Sequence, residues 1–66
     1  QKSFSDLANE YRVEDAKHML ANSNEPVTNI SYDVGFNSIA SFNRVFKQVT
    51  GKSPSKFRED QTKEAA

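Results

Sequence analysis

The stretch VTNISYDVGFNSIASFNRVFKQV, residues 27–49, reads as helix, tight turn, helix. In its first half Val27, Ile30 and Val34 recur at three- and four-residue spacing, the period of one helix face, with the small Ser31 beside Ile30 on the same stripe. Phe42, Val45, Phe46 and Val49 repeat the pattern in the second half. Between the two, Gly35 supplies a residue free to take positive φ, Phe36 a plug for the interior, and Asn37 a cap for the next helix. Two short helices joined this tightly cross at a steep angle. That is a helix-turn-helix, whose second helix, here residues 38–49, has the shape to enter a DNA major groove.

Upstream, Ser3 or Ser5 can cap a long first helix running to about Asn22, with Asp6 in its first turn complementing the helix dipole. Its apolar pattern changes sides midway. At about 100° per residue, Phe4, Leu7, Ala8 and Tyr11 fall on one face, Val13, Ala16 and Leu20 on nearly the opposite one, with Met19 between. A helix packed on a single core keeps one stripe, so this helix serves two, its C-terminal half facing the helix-turn-helix. In the alternative, Phe4 and Leu7 fold back over the helix end as a local staple. The segment ANSNEP, residues 21–26, breaks the periodicity and reads as a loop, with Asn24 capping the second helix and Pro26 in its first turn. Downstream, Gly51 closes the third helix, and Ser53-Pro54 opens a short fourth one that carries Phe57 back to the core. From Glu59 the tail EDQTKEAA has no apolar period and is expected to fray. The expectation is an all-α, homeodomain-like helix-turn-helix unit of four helices over residues 1–58, followed by a polar tail at 59–66.

Sixty-six residues with 35% hydrophobic content make one small domain with a limited core. There is no cysteine, so neither disulfides nor thiolate metal sites can staple it. No apolar run reaches bilayer length and no leader-like segment opens the chain, so a cytoplasmic protein without a membrane partner is expected. Net charge is zero, which alone argues against a polyanionic partner. The distribution argues for one: between Asp33 and Glu59 there is no acidic residue, whereas Arg44, Lys47, Lys52, Lys56 and Arg58 all fall there.

Setting the Phe42, Val45, Phe46, Val49 stripe against the core turns Ala40, Asn43, Arg44 and Lys47 outward as one strip, with Ile39 at its N-terminal flank. These residue types suit a groove. Arginine bonds guanine O6 and N7 in bidentate fashion, asparagine pairs with adenine, and Ile39 and Ala40 can meet thymine methyls. Lys47, a turn further on, suits a phosphate, as do the backbone N–H groups at Asn37 and Ser38 near the positive end of the helix dipole. Lys56 and Arg58 extend this expected phosphate-contacting set.

The run ISYDVGFNSIASFNRVFKQVTGKSPSKFR resembles the second helix-turn-helix of the AraC/XylS family of bacterial transcription regulators. The resemblance rests on Gly35-Phe36 in the turn, Phe42 four residues before Phe46, Thr50-Gly51, Ser53-Pro54 and Phe57-Arg58. EYRVEDAKHML, from Glu10 to Leu20, is similar to the family's linker helix. The resemblance implies a DNA-binding domain with two helix-turn-helix units joined by that helix, reading successive major-groove segments of double-stranded DNA. It also implies an effector or dimerisation domain elsewhere in a parent chain, and association with the bacterial nucleoid. The first unit is expected to have packed on the Phe4, Leu7, Ala8, Tyr11 face. By the same resemblance Ile39, Ala40, Asn43 and Arg44 map onto base-facing positions, Arg44 at one that is commonly arginine. Ile39 and Ala40 depart from the polar residues frequent there, which favours methyl or shape contacts, and Ser31 stands where alanine is usual.

Catalytic and metal chemistry find no support in the residues. His18 has Glu14 one turn away on the first helix but no second His, no Cys and no HExxH to complete a metal site. There is no Gly-x-Ser-x-Gly elbow, Glu14 and Asp15 diverge on the helix surface, and two glycines cannot build a phosphate-cradling loop. Neither an enzyme nor a cofactor is expected. The alternative to DNA binding is a helical protein–protein interaction module, in which the strip around Arg44 or the Phe4-to-Tyr11 stripe docks on another protein such as RNA polymerase or a second copy.

Overall fold

The computed structural model describes the backbone of residues 3–65 and the side chains of residues 3–61. Its four helices are α1 (Phe4–Asn22), α2 (Val27–Asp33), α3 (Ile39–Thr50) and α4 (Pro54–Ala65), and no strand occurs among the described residues. The all-α expectation holds.

Each boundary has a local cause. Ser3, not Ser5, opens α1 through a capping box: its Oγ accepts from Asp6 N–H at 3.1 Å while Ser3 N–H donates to Asp6 Oδ2 at 3.3 Å. Asn24 does not cap α2. Pro26 occupies the cap position, its carbonyl accepting from Ile30 N–H at 3.1 Å, so Asn24 lies two residues too early to reach the first-turn donors. At the other end Gly35 takes φ +107°, its N–H bonds Tyr32 O and Phe36 N–H bonds Ser31 O, the paired closure of a Schellman motif. Gly51, at φ +84°, ends α3 by donating to Lys47 O at 2.8 Å. Ser53 caps α4 by accepting from Lys56 N–H, with Pro54 buried as the first helical residue.

The core is Val13, Ala16 and Leu20 from α1, Ile30 from α2, Phe36 from the turn, and Phe42, Val45 and Phe46 from α3. Met19, Val27, Val34 and Phe57 pack at its edge. A row of aromatic rings runs through it. Phe36 meets Phe42 edge-on at 5.3 Å, Phe42 meets Phe46 at 5.6 Å, and Phe46 meets Phe57 edge-on at 5.5 Å, tying turn, α3 and α4 together. Ser31 is fully buried without cost because its hydroxyl donates to Thr28 O at 2.6 Å.

As its sequence pattern indicates, α1 uses two faces. Val13, Ala16 and Leu20 are buried, whereas Phe4, Leu7 and Tyr11 are 86%, 46% and 75% exposed. They do not fold back as a staple. Two further expectations are corrected. Val49, placed by spacing on the core stripe, is largely exposed: the part of α1 opposite it presents Asp6, Asn9 and Glu10, which line a shallow cleft with Val45, Gln48 and Val49. The fourth helix does not end near Arg58 but continues to Ala65, with Asp60 on its first turns pairing with Lys52 at 2.7 Å and Lys56 at 3.6 Å. The last of the tail, Ala66, lies outside the described residues.

At the α1–α2 loop, the neighbouring Asp33 carboxylate pushes the Glu25 carboxyl above its ordinary range, against a smaller opposing pull from Arg58. Two like charges thus oppose folding when both are ionised. Glu25→Gln is expected to stabilise the chain near neutral pH. A raised folded-state value means the native state takes up the proton first, so that gain should vanish as pH falls through Glu25's raised range. Urea midpoints measured across that range check it; a gain persisting in acid would show that repulsion is not its source.

Candidate nucleic-acid interface

With Phe42, Val45 and Phe46 buried, the opposite side of α3 is fixed by helix geometry. Ala40, Asn43, Arg44 and Lys47 are all exposed along it, and Ile39 is half-buried at its N-terminal flank. The structure therefore brings the expected base-facing residues Ile39, Ala40, Asn43 and Arg44 onto one surface, with Lys47 a turn beyond Asn43. Asn43, Arg44 and Lys47 are exposed and make no side-chain hydrogen bond or ion pair with any described residue. The helix itself carries no acidic side chain.

The residues expected to meet phosphate divide. Ser38, not Asn37, is the cap of α3: it accepts from Ser41 N–H at 3.2 Å and donates to Ser41 Oγ at 3.2 Å. The helix begins one residue later than its sequence suggests, and only the residue directly before the first turn can reach its third N–H. Asn37 is exposed in the turn. Lys56 is exposed but shares Asp60 with Lys52, whose adjacent ammonium holds the Asp60 carboxyl below its ordinary range. Arg58 has another task. Its Nε donates to Leu20 O and one terminal nitrogen to Ser23 O, each at 3.2 Å, closing the carbonyl end of α1 from α4. Sequence offers no sign of this cap, because donor and acceptors lie 35 and 38 residues apart.

Arg12 is a second residue that pattern reading passes over. It lies on α1 between exposed Tyr11 and buried Val13, where the apolar stripe changes sides, and its guanidinium stands 5.9 Å from the Phe36 ring centroid. Polar residues at such a crossover look like ordinary surface in sequence. On the far side of α1, His18 is exposed, and Glu14 pairs with Lys17 at 2.8 Å, which holds the Glu14 carboxyl below its ordinary range. Among the described residues no group of three or more His, Asp or Glu could hold a metal ion, and no helix is long and apolar enough to cross a membrane.

A short helix, a Schellman turn and a second helix with one anchored and one free face define a helix-turn-helix domain. Residues 1–60 match a family described as a helix-turn-helix domain, and the chain belongs to this AraC-type helix-turn-helix family of DNA-binding transcription regulators. Among curated proteins it is 43% identical over 47 residues to the arabinose operon regulatory proteins of Escherichia coli K12 and Salmonella typhimurium. Those matches cover 71% of this chain and 16% and 17% of the relatives. It is 40% identical over 57 residues to an uncharacterised HTH-type transcriptional regulator of Staphylococcus aureus, covering 86% of this chain and 8% of that protein. The chain thus spans less than a fifth of the length of these relatives. No solved structure matches it.

The identity of the α3 cap gives a direct check. Ser38→Ala is expected to cost about 1 kcal/mol of stability, whereas Asn37→Ala should leave the denaturation midpoint within error. Equal losses would put the cap back at Asn37.

Proposed function

We propose that the chain reads double-stranded DNA by laying α3 in the major groove. The observation that carries this reading is the strip of Ala40, Asn43, Arg44 and Lys47, exposed and without side-chain hydrogen bonds or ion pairs among the described residues, on the side of α3 opposite its buried phenylalanines. Arg44 is the bidentate reader of guanine and Asn43 the reader of adenine, while Ile39 and Ala40 meet thymine methyls or shape the fit. Lys47, Lys56 and the N–H groups around Asn37 and Ser38 hold phosphates and set the register. Arg58 is left to hold α1 to α4. The reading gives the chain no catalytic role and no cofactor.

Because the relatives are far longer, we further propose that this unit works within a larger regulator that supplies a first helix-turn-helix and an effector or dimerisation domain. A second reading, docking on another protein such as RNA polymerase, is favoured by one observation: the exposed Phe4, Leu7 and Tyr11. Salt separates the two. Phosphate contacts release counterions and make DNA affinity fall steeply with ionic strength.

Arg44→Ala is expected to weaken binding to a duplex selected by this chain from a randomised pool by about 1–3 kcal/mol, with a smaller loss on a scrambled duplex. Equal losses on both would remove Arg44 from the base contacts. Lys47→Ala should lower the slope of log affinity against log salt by about one. A slope that stays put would remove Lys47 from the phosphates.

A further inference from the structure

We infer that Arg12 is the positioning residue for α3, its guanidinium bracing the Gly35–Phe36 turn from α1 and so fixing the angle at which the Ala40, Asn43, Arg44, Lys47 strip is presented. The inference rests on the reading of α3 as the groove helix. Arg12 touches neither the strip nor DNA in that reading and acts through the turn.

Three contacts carry it. The Arg12 Cζ stands 5.9 Å from the Phe36 ring centroid, within cation–π range. Its Nε lies 3.2 Å from where a Cβ on Gly35 would sit, so the guanidinium fills the space that a side chain in the turn would need. Its Nη1 donates to Asn9 Oδ1 at 3.3 Å, which holds the planar group in place from the preceding turn of α1. Phe36 in turn lies edge-on to Phe42 of α3 at 5.3 Å. A continuous path of packed groups therefore runs from Asn9 through Arg12 and Phe36 to the anchored face of α3. Gly35 itself is exposed at φ +107°, and a turn built on so permissive a residue gains definition from an outside brace. The plane of the guanidinium matters as much as its charge, because a flat group can lie against both ring and backbone where an ammonium cannot.

Amide hydrogen exchange on this chain tests the brace without DNA. Gly35 N–H and Phe36 N–H are bonded to Tyr32 O and Ser31 O, so they report opening of the turn. In Arg12→Met, which keeps the apolar stem, their exchange should quicken about two- to thirtyfold, the fold-change equivalent of one cation–π contact. Amides inside α4 should stay unchanged, and Arg12→Lys should lie between Met and wild type. Unchanged exchange at Gly35 and Phe36, or an equal rise throughout the helices, overturns the inference.

The second arm is fluorescence anisotropy with a duplex selected by the wild-type chain and a scrambled one, corrected for the folded fraction by circular dichroism. Arg12→Met is expected to lose several-fold in preference for the selected duplex, with partial rescue by Lys. A loosened turn with preference intact overturns the positioning role and leaves the groove reading standing. A wild-type chain that prefers no duplex overturns the groove reading and the inference with it.

Discussion

Phe42 and Phe46 fix the rotation of α3 about its own axis, and nearly everything else in the molecule follows from that constraint. Both rings are fully buried, one against Phe36 in the turn and the other against Phe57 of α4. Edge-on aromatic pairs add about 0.5–1.5 kcal/mol each beyond the area they bury, and a domain of this size has only a few kcal/mol of net stability. The aromatic row is therefore a large share of what holds α3. Once those rings are seated, a period of 3.6 residues leaves one set of positions facing out. The chemistry of that set is then free to vary without touching the core.

The same economy explains α1. A chain without cysteines, and so without disulfides, must use its longest helix as scaffold, and α1 packs against α2, α3 and α4 with Val13, Ala16 and Leu20. The N-terminal half of the helix contributes little to that core. It turns Asp6, Asn9 and Glu10 toward the end of α3 and leaves Phe4, Leu7 and Tyr11 to solvent. Two long-range arginine contacts then compensate at either end of the buried segment. Arg58 closes the carbonyl end of α1 from α4, and Arg12 reaches from α1 to the turn. Both sites use the flat guanidinium, which meets paired carbonyls or an aromatic face where an ammonium meets only one.

How much of this could be read from sequence depended on how local the cause was. The helical periods of residues 27–49 and the glycines at 35 and 51 are short-range signals, and the structure follows them. So is the side-switch of α1, which shows as a change of phase within one helix. Caps are also local, yet Asn24 and Asn37 were each displaced from the cap by one or two residues, because several polar residues stand beside each helix start and only backbone geometry selects among them. Val49 has the right spacing for the core, but burial needs an apolar partner, and the facing part of α1 is polar. Arg58 and Arg12 act across the fold and leave no periodic trace. The continuation of α4 past Arg58 rests on polar pairs such as Lys56–Asp60, which hydrophobic patterning does not register.

Net charge is the property most easily misread here. The total is zero, yet the charges are sorted: the acids Asp6, Glu10, Glu14 and Asp15 lie on α1, while α3 carries Arg44 and Lys47 and no acid. Sorting alone would mean little if each cation had a partner. Lys17 is paired with Glu14, Lys52 and Lys56 converge on Asp60, and Arg58 is held by carbonyls. Arg44 and Lys47 make no such pair among the described residues. Surface pairs are individually weak, but here they decide where positive potential remains after local neutralisation. Among the described residues the exposed face of α3 keeps two such cations, Arg44 and Lys47, whose reach is a Debye length of about 8 Å at physiological ionic strength. Lys17, Lys52, Lys56 and Arg58 are already engaged, and under the proposed groove reading the same sorting of charge would turn the Asn43 and Arg44 face toward a polyanion.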